Sequence, residues 1–333
     1  MNDTAYGCIE VDRKYRLYLA FLIVALLMLL LTRDVDSFHT AFLSFSGIVL
    51  EAFPFMLLGS LVGGIIEEYM PKKMVNSLKD GRLKSVLLGG LIGFAVPVCE
   101  CAVVTVVYRL IKKGVSPGAA IAYMLAGPTI NPIVALSTLV AYRFSWKIMA
   151  LRIIGGYTIA VIVALIVQKY AGDSLIRKDI TSQKTCNLMD SGESGSRWSR
   201  VIRTAAGDFV IAGKYLVMGA FLAGLLQSIV SRSIISGVIA SPVMSILMMM
   251  GLAVCLSICS DGDAFVAASF GKNAFPLSSQ MSFMLIGPML DIKLMLMYRI
   301  VFRKRAIPVI AISVIAVVLC VSYLLHVLGP VFT

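Results

Sequence analysis

The residues that could do chemistry in this chain fall into four short motifs. Cys99-Glu100-Cys101 sets a carboxylate between two thiols, and Cys259-Ser260-Asp261-Gly262-Asp263 sets two carboxylates behind a third thiol, with Cys255 four residues earlier. Asn131 lies between Gly127-Pro128 and Pro132, and Asp291 follows Gly287-Pro288 with Lys293 close behind. Thiolates prefer soft ions such as zinc, copper(I) and trivalent arsenic, while carboxylates admit protons or harder cations. Cys99, Cys101 and Cys259 are therefore candidate ligands for a thiophilic ion. Glu100, Asn131, Asp261, Asp263 and Asp291 complete a candidate substrate-binding set. The spacing is permissive. Cys99 and Cys101 diverge on a helix and converge only on a non-helical tip, and Cys255 and Cys259 share a face only on a helix. A cysteine in an apolar helix serves equally as a small buried hydrophobe, and Asp261 and Asp263 would equally cap a following helix.

These motifs must be positioned by very apolar elements. Of 333 residues 59% are hydrophobic and 14% charged, more apolar side chain than a soluble domain can hide and what a bilayer accepts directly. The formal net charge of +12 gathers in short loops between apolar runs, as membrane orientation requires, so nucleic acid is excluded as a partner. The seven cysteines show no spacing of a secreted disulfide framework. No small-residue cleavage site follows the first apolar run, which reads as a retained helix.

Unbroken spans are expected at 17–32, 42–66, 147–167, 205–231 and 306–326. Four further apolar stretches are interrupted: 86–111 at Pro97 to Cys101, 117–142 at Gly127, Pro128 and Pro132, 237–270 at Cys259 to Asp263, and 277–302 at Gly287 and Pro288. Proline removes a backbone donor and glycine loosens the chain, so each break frees polar backbone at membrane depth. Such a break survives only inside protein or beside a water-filled cavity, or else is a purely structural kink.

A shift of 160 positions superposes the landmarks without a gap: Gly59 on Gly219, Gly64 on Gly224, Cys99 on Cys259, Gly127-Pro128 on Gly287-Pro288, and Asn131 on Asp291. The coincidence of breaks, rather than of leucines, is the signal of an internal repeat. The basic loops 67–85 and 168–200 belong on the cytoplasmic side. The three apolar stretches between them then cross an even number of times, so 86–111 is expected to be a re-entrant hairpin turning at Cys99–Cys101. The expected fold is an all-α polytopic membrane protein of two inverted repeats with re-entrant hairpins and broken helices. Its parts are an N-terminal extra helix and outer loop (1–41), a first repeat (42–167), a cytoplasmic linker (168–204) and a second repeat (205–333). The N-terminus is expected in the cytoplasm of a cell-membrane protein and the C-terminus outside. Inverted repeats with broken elements at the midplane are a construction of secondary transporters.

Pro97-Val98-Cys99-Glu100-Cys101, Arg109-Leu110-Ile111-Lys112-Lys113-Gly114 and Gly127 to Pro132 resemble the predicted-permease family that includes the organoarsenical-efflux permeases. Ile258 to Ala267, Asp291-Ile292-Lys293 and Tyr298-Arg299 resemble its second-half signature, so the likeness spans roughly residues 42–326. The resemblance implies a permease, and some members of the family act with a second, membrane-anchored subunit.

The sequence thus points to a permease in the lipid bilayer moving a small solute or ion, a thiophilic metal or metalloid species first among them, by proton-coupled secondary transport. Glu100, Asp261 and Asp263 are the candidate proton carriers. A membrane-embedded thiol oxidoreductase, and a permease subunit for an anion or small organic solute, stand as alternatives. No nucleotide-binding loop appears, which argues against a primary pump. No catalytic residue, enzymatic activity or cofactor is expected.

Overall fold

The computed structural model describes residues 35–69, 72–80, 83–96, 98–171, 197–229, 241–271 and 275–332. The expected helix at 17–32, most of the linker and the break residue Pro97 lie outside these. Thirteen α-helices follow one another among the described residues: α1 (Val35–Tyr69), α2 (Lys72–Lys79), α3 (Leu83–Ala95), α4 (Glu100–Lys112), α5 (Pro117–Ala126), α6 (Pro132–Ala141), α7 (Trp146–Ala171), α8 (Arg197–Ile229), α9 (Pro242–Leu256), α10 (Asp263–Gly271), α11 (Leu277–Ile286), α12 (Ile292–Met297) and α13 (Ala306–Phe332). Segments of α1, α7, α8 and α13 (41–66, 146–170, 197–226 and 306–327) are long and apolar enough to cross a membrane. These are four of the five unbroken runs of the sequence, with two differences: α1 starts at Val35, inside the part expected as outer loop, and α8 at Arg197, inside the stretch expected as linker.

The helices between them are short because the sequence interrupts them. At 13 residues, α3 and α4 are each about 20 Å long, short of a hydrocarbon core of about 30 Å. Local chemistry sets their ends. Ser116 caps α5 by accepting from Ala119 N, and Ser241 caps α9 by accepting from Met244 N, each with proline in the first turn. The two Gly-Pro breaks are built alike. Gly127 has φ −48°, ψ −55° and Gly287 φ −48°, ψ −57°. Ile130 N donates to Ala126 O and Leu290 N to Ile286 O, both at 2.8 Å. Helix boundaries therefore recur 160 residues apart, most clearly for Pro117–Ala126 and Leu277–Ile286.

The chain enters along α3 and returns along α4. Val86 lies beside Gly118 at the start of α5, and Gly93 lies against Gly127 at its end, so α3 and α5 run parallel. Between them α4 comes back: Val103 is next to Gly127, and after α4 Ser116 N donates to Leu78 O at 3.0 Å. Both ends of 83–116 thus sit at one level, with Cys99–Cys101 at the turn. In the matching segment the starts of α9 and α11 likewise lie together, Ser245 Oγ meeting Ser279 Oγ at 2.8 Å and Ser282 Oγ donating to Ile246 O at 3.3 Å.

Helices α1 and α8 hold the halves together in antiparallel fashion. Phe45 packs on Phe221, Phe53 on Phe209, and Tyr69 on Trp198. A Cβ on Gly64 would stand 2.8 Å from Val201 O, and one on the corresponding Gly224 2.9 Å from Ala41 O. Only glycine permits those two backbone approaches. At the centre, α5 and α11 are buried on all sides, from Gly118 to Ala126 and from Ser278 to Ile286.

Candidate functional site

Two buried charged groups lie where the breaks of one half meet the other half. The first is built on the Cys99–Cys101 turn. Glu100 opens α4 and is 0% exposed, and Asp291 and Lys293 at the start of α12 are 0% and 2% exposed. The Lys293 ammonium forms an ion pair with the Glu100 carboxylate, stands 3.4 Å from Asp291 Oδ2, and donates to Ser257 O at 3.0 Å. Ser257 ends α9 in the left-handed region, φ 48°, which detaches that residue from the regular helix and leaves its carbonyl for Lys293. Glu100 Oε2 has no hydrogen-bond partner among the described residues. Among the described residues two buried carboxylates thus face one ammonium, so the group carries one negative charge in excess whenever both are ionised.

The thiols surround this group. Cys101 is buried with its thiol against that of Cys99, and Cys101 and Cys259 lie in the field of Glu100 and Lys293. Tyr298 closes the floor, its hydroxyl donating to Met289 O at 2.7 Å. Cys255 belongs to α9 but Cys259 lies beyond its end, so these two do not share a helix face. Among the described residues no three His, Cys, Asp or Glu side chains converge as the ligands of one metal ion would.

The second group belongs to the Cys259–Asp263 turn. Arg152, from the second turn of α7, is 0% exposed. Its Nη2 donates to Asp263 Oδ2 at 2.7 Å and to Ser260 O at 3.2 Å, and its Nη1 to Thr138 Oγ1 at 2.8 Å. Asp263 opens α10, and Asp261 is partly exposed beside it. Asn131 is buried and caps α6 by accepting from Ile133 N at 3.0 Å; Asp291 does the same for α12, accepting from Leu294 N at 2.6 Å.

The expected set therefore divides. Glu100, Cys99, Cys101, Cys259 and Asp291 come together, Asp261 and Asp263 gather around Arg152, and Asn131 serves its own helix. Motif reading passed over Arg152 and Asp208, and gave Lys293 no role. The available signal was a charge inside an apolar span, which is costly unless paired. Arg109 also joins the halves, Nε donating to Asp208 Oδ2 at 3.0 Å and Nη2 to Oδ1 at 2.6 Å.

Just beyond the span 41–66, the half-buried Glu68 receives Arg200 Nη2 at 2.5 Å, and that guanidinium holds its carboxyl below the usual carboxylate range.

Comparison with known proteins agrees with this architecture. A family model described as a predicted permease matches residues 37–327. The chain is 36% identical over 284 residues to the UPF0718 protein YcgR of Bacillus subtilis, covering 84% of this chain and 95% of the relative. It is 33% identical over 266 residues to a provisionally named two-component membrane permease complex subunit of Streptococcus mutans, covering 79% of this chain and 87% of that protein. The UPF0718 protein YraQ of Escherichia coli is 26% identical over 152 residues, 44% of this chain and 42% of the relative. No solved structure matches the chain. With its multi-pass helical fold and a match over nearly its whole length, the chain belongs to the predicted-permease family of membrane transporters.

Proposed function

We propose that the protein is a proton-coupled secondary permease of the cell membrane whose cargo is a thiophilic metal or metalloid species, handled at the Cys99–Cys101 turn. The observation that carries this reading is the buried Glu100–Asp291–Lys293 group with thiols of both halves beside it. A buried uncompensated negative charge is expensive, so the group favours a cation, either a proton or the cargo. Competition between the two for one charge gives coupling. Capture by the thiols of Cys99, Cys101 and Cys259 rather than by a full ligand cage suits a cargo that must be released. The halves act as inverted repeats, and the two turns meet at the midplane of the bilayer. The relative named as a subunit of a two-component complex supports a second subunit here as well.

Transport into proteoliposomes tests the assignment, with zinc(II), copper(I) and arsenite offered separately under an imposed pH gradient. Uptake of at least one is expected, collapsing in Cys99→Ser with Cys259→Ser and losing its pH dependence in Glu100→Gln. Native-rate transport by the double serine variant would overturn the thiophilic reading in favour of an anion or small organic solute. For the topology, Lys79→Cys is expected to react from the cytoplasmic side and Ser241→Cys from the opposite one. Labelling of both from one side would sink the inverted arrangement.

A further inference from the structure

The two thiols of the first turn touch, and the backbone that lets them do so is not helical. Residues two apart on a regular α-helix project about 200° apart around the axis, so their side chains stand on opposite faces. Cys99 escapes that rule because it precedes α4. Its backbone is extended, φ −70° and ψ 163°, while Cys101 lies inside the first turn of the helix. The Cys101 thiol is hydrogen-bonded with that of Cys99. Both are free thiols, Cys101 buried and Cys99 partly exposed among the described residues. Cys99 caps α4 with its backbone alone: its carbonyl accepts from Ala102 N at 3.1 Å and from Val103 N at 3.0 Å, with no side-chain cap. Its side chain can therefore turn without unwinding the helix.

The second turn has no such pair. A shift of 160 positions sets Cys101 on Asp261, so the turn at 259–263 keeps the single thiol of Cys259. Cys255 belongs to α9, on the other side of the left-handed Ser257. The matching turn thus forms with one thiol, and the second thiol at 99–101 is an addition that the turn itself does not require.

We propose that Cys99 and Cys101 are an oxidative modification site, which a hydroperoxide converts to a disulfide and a small thiol restores, so that cargo capture is switched off while the bond exists. The chemistry balances without a cofactor. The Cys99 sulfur, the more exposed of the two, attacks a peroxide oxygen and the O–O bond breaks, giving a sulfenic acid on Cys99 and an alcohol, or water where the oxidant is hydrogen peroxide. The Cys101 sulfur then displaces water from the sulfenic acid and the S–S bond forms. The two thiol hydrogens leave in the alcohol and the water. Two equivalents of a small thiol reverse the bond through a mixed disulfide. A neutral hydroperoxide can enter these apolar surroundings, where a charged oxidant is excluded. A bond across one intervening residue closes a small ring, and strained disulfides of that kind are the labile, regulatory ones. Formation of the bond is independent of the cargo, whereas its effect on transport rests on the thiophilic reading.

Trypsin cutting after Lys84 and Arg109 leaves both thiols on one peptide, 85–109. The full chain in proteoliposomes is treated with hydrogen peroxide, cleared of it with catalase, labelled with a membrane-permeant maleimide and digested. That peptide is expected to be lighter by two hydrogens and unlabelled, and to take two labels once dithiothreitol has been added and removed. Uptake of zinc(II), copper(I) or arsenite, whichever the reduced chain carries, should fall about tenfold on oxidation and return after reduction. Cys259→Ser should leave bond formation intact, whereas in Cys99→Ser the mass loss should disappear and Cys101 should stay open to maleimide. A peptide that gains oxygen instead, one still labelled twice after peroxide, or one joined to the peptide carrying Cys259 would each overturn the site. So would an oxidised chain that transports at the reduced rate while the Cys99→Ser, Cys259→Ser double variant does not transport. Native-rate transport by that double variant is the separate result that strikes the thiophilic reading, since the bond on 85–109 is read from mass alone.

Discussion

Lys293 of the second half is ion-paired with Glu100 of the first, and Asp291 Oδ2 stands 3.4 Å from the same ammonium. Charge counting over these groups ranks their variants. Lys293→Met leaves two buried carboxylates with no cation and should cost about 3–5 kcal/mol. The double variant Lys293→Met with Glu100→Gln has the native net charge of the group and should be more stable than Lys293→Met alone. Thermal unfolding in detergent checks the order, and a double variant no better than the single lysine variant would mean the pair is not coupled.

Arg152 acts as a positioning residue, holding the Cys259–Asp263 turn through Ser260 O and Asp263. Removing it should loosen that turn without loosening the other, which Lys293 holds. With Cys259 as the single cysteine, Arg152→Gln should raise its reaction rate with a maleimide about tenfold, and with Cys101 as the single cysteine the rate should stay put. Equal increases at both thiols would instead indicate general unfolding. Arg152→Lys should retain part of the protection, since it keeps the charge and loses the fork.

The glycine contacts between α1 and α8 predict a steep positional contrast. Gly64→Ala and Gly224→Ala each push a Cβ to within 3 Å of a backbone carbonyl oxygen, Val201 O and Ala41 O, and should cost about 1–3 kcal/mol. Gly251→Ala, with nothing within 4 Å, should be neutral or stabilise its helix by up to about 1 kcal/mol. Melting temperatures of the three variants decide it.

The Glu68–Arg200 bridge predicts a pH dependence of one sign. Because the folded-state carboxyl lies below its ordinary value, the bridge contributes above the ordinary carboxylate range of about pH 4 and is lost as pH falls through the depressed value. Both side chains reach solvent, 52% for Arg200 and 22% for Glu68, so the contribution is small and screened by salt. The native chain should therefore exceed Glu68→Gln in melting temperature slightly at neutral pH and low salt. The difference should vanish in acid or at high salt, and an advantage persisting in acid would contradict the assignment.

The sequence by itself determined the class of fold and the location of its interruptions. Long apolar runs must be helices in a bilayer, because no other local structure satisfies their backbone there. The 160-residue recurrence located matched breaks, and Gly127-Pro128 and Gly287-Pro288 were legible because proline and glycine act on the backbone locally. The expected thiol and acid neighbours of Glu100 were partly legible for the same reason, since they sit on the interruptions. Only the tertiary structure decided how they are shared out. Lys293 reaches Glu100 from 193 positions away and Arg152 reaches Asp263 from 111, and no spacing rule joins such pairs. Ser257 contributes a carbonyl freed by a left-handed turn that its residue type does not announce. Glu51 and Lys214 sit inside apolar runs, and only the structure shows that both side chains are exposed. A periodic apolar pattern records that a helix is surrounded by hydrocarbon or protein, and which of its faces meets which neighbour is set by packing between distant segments.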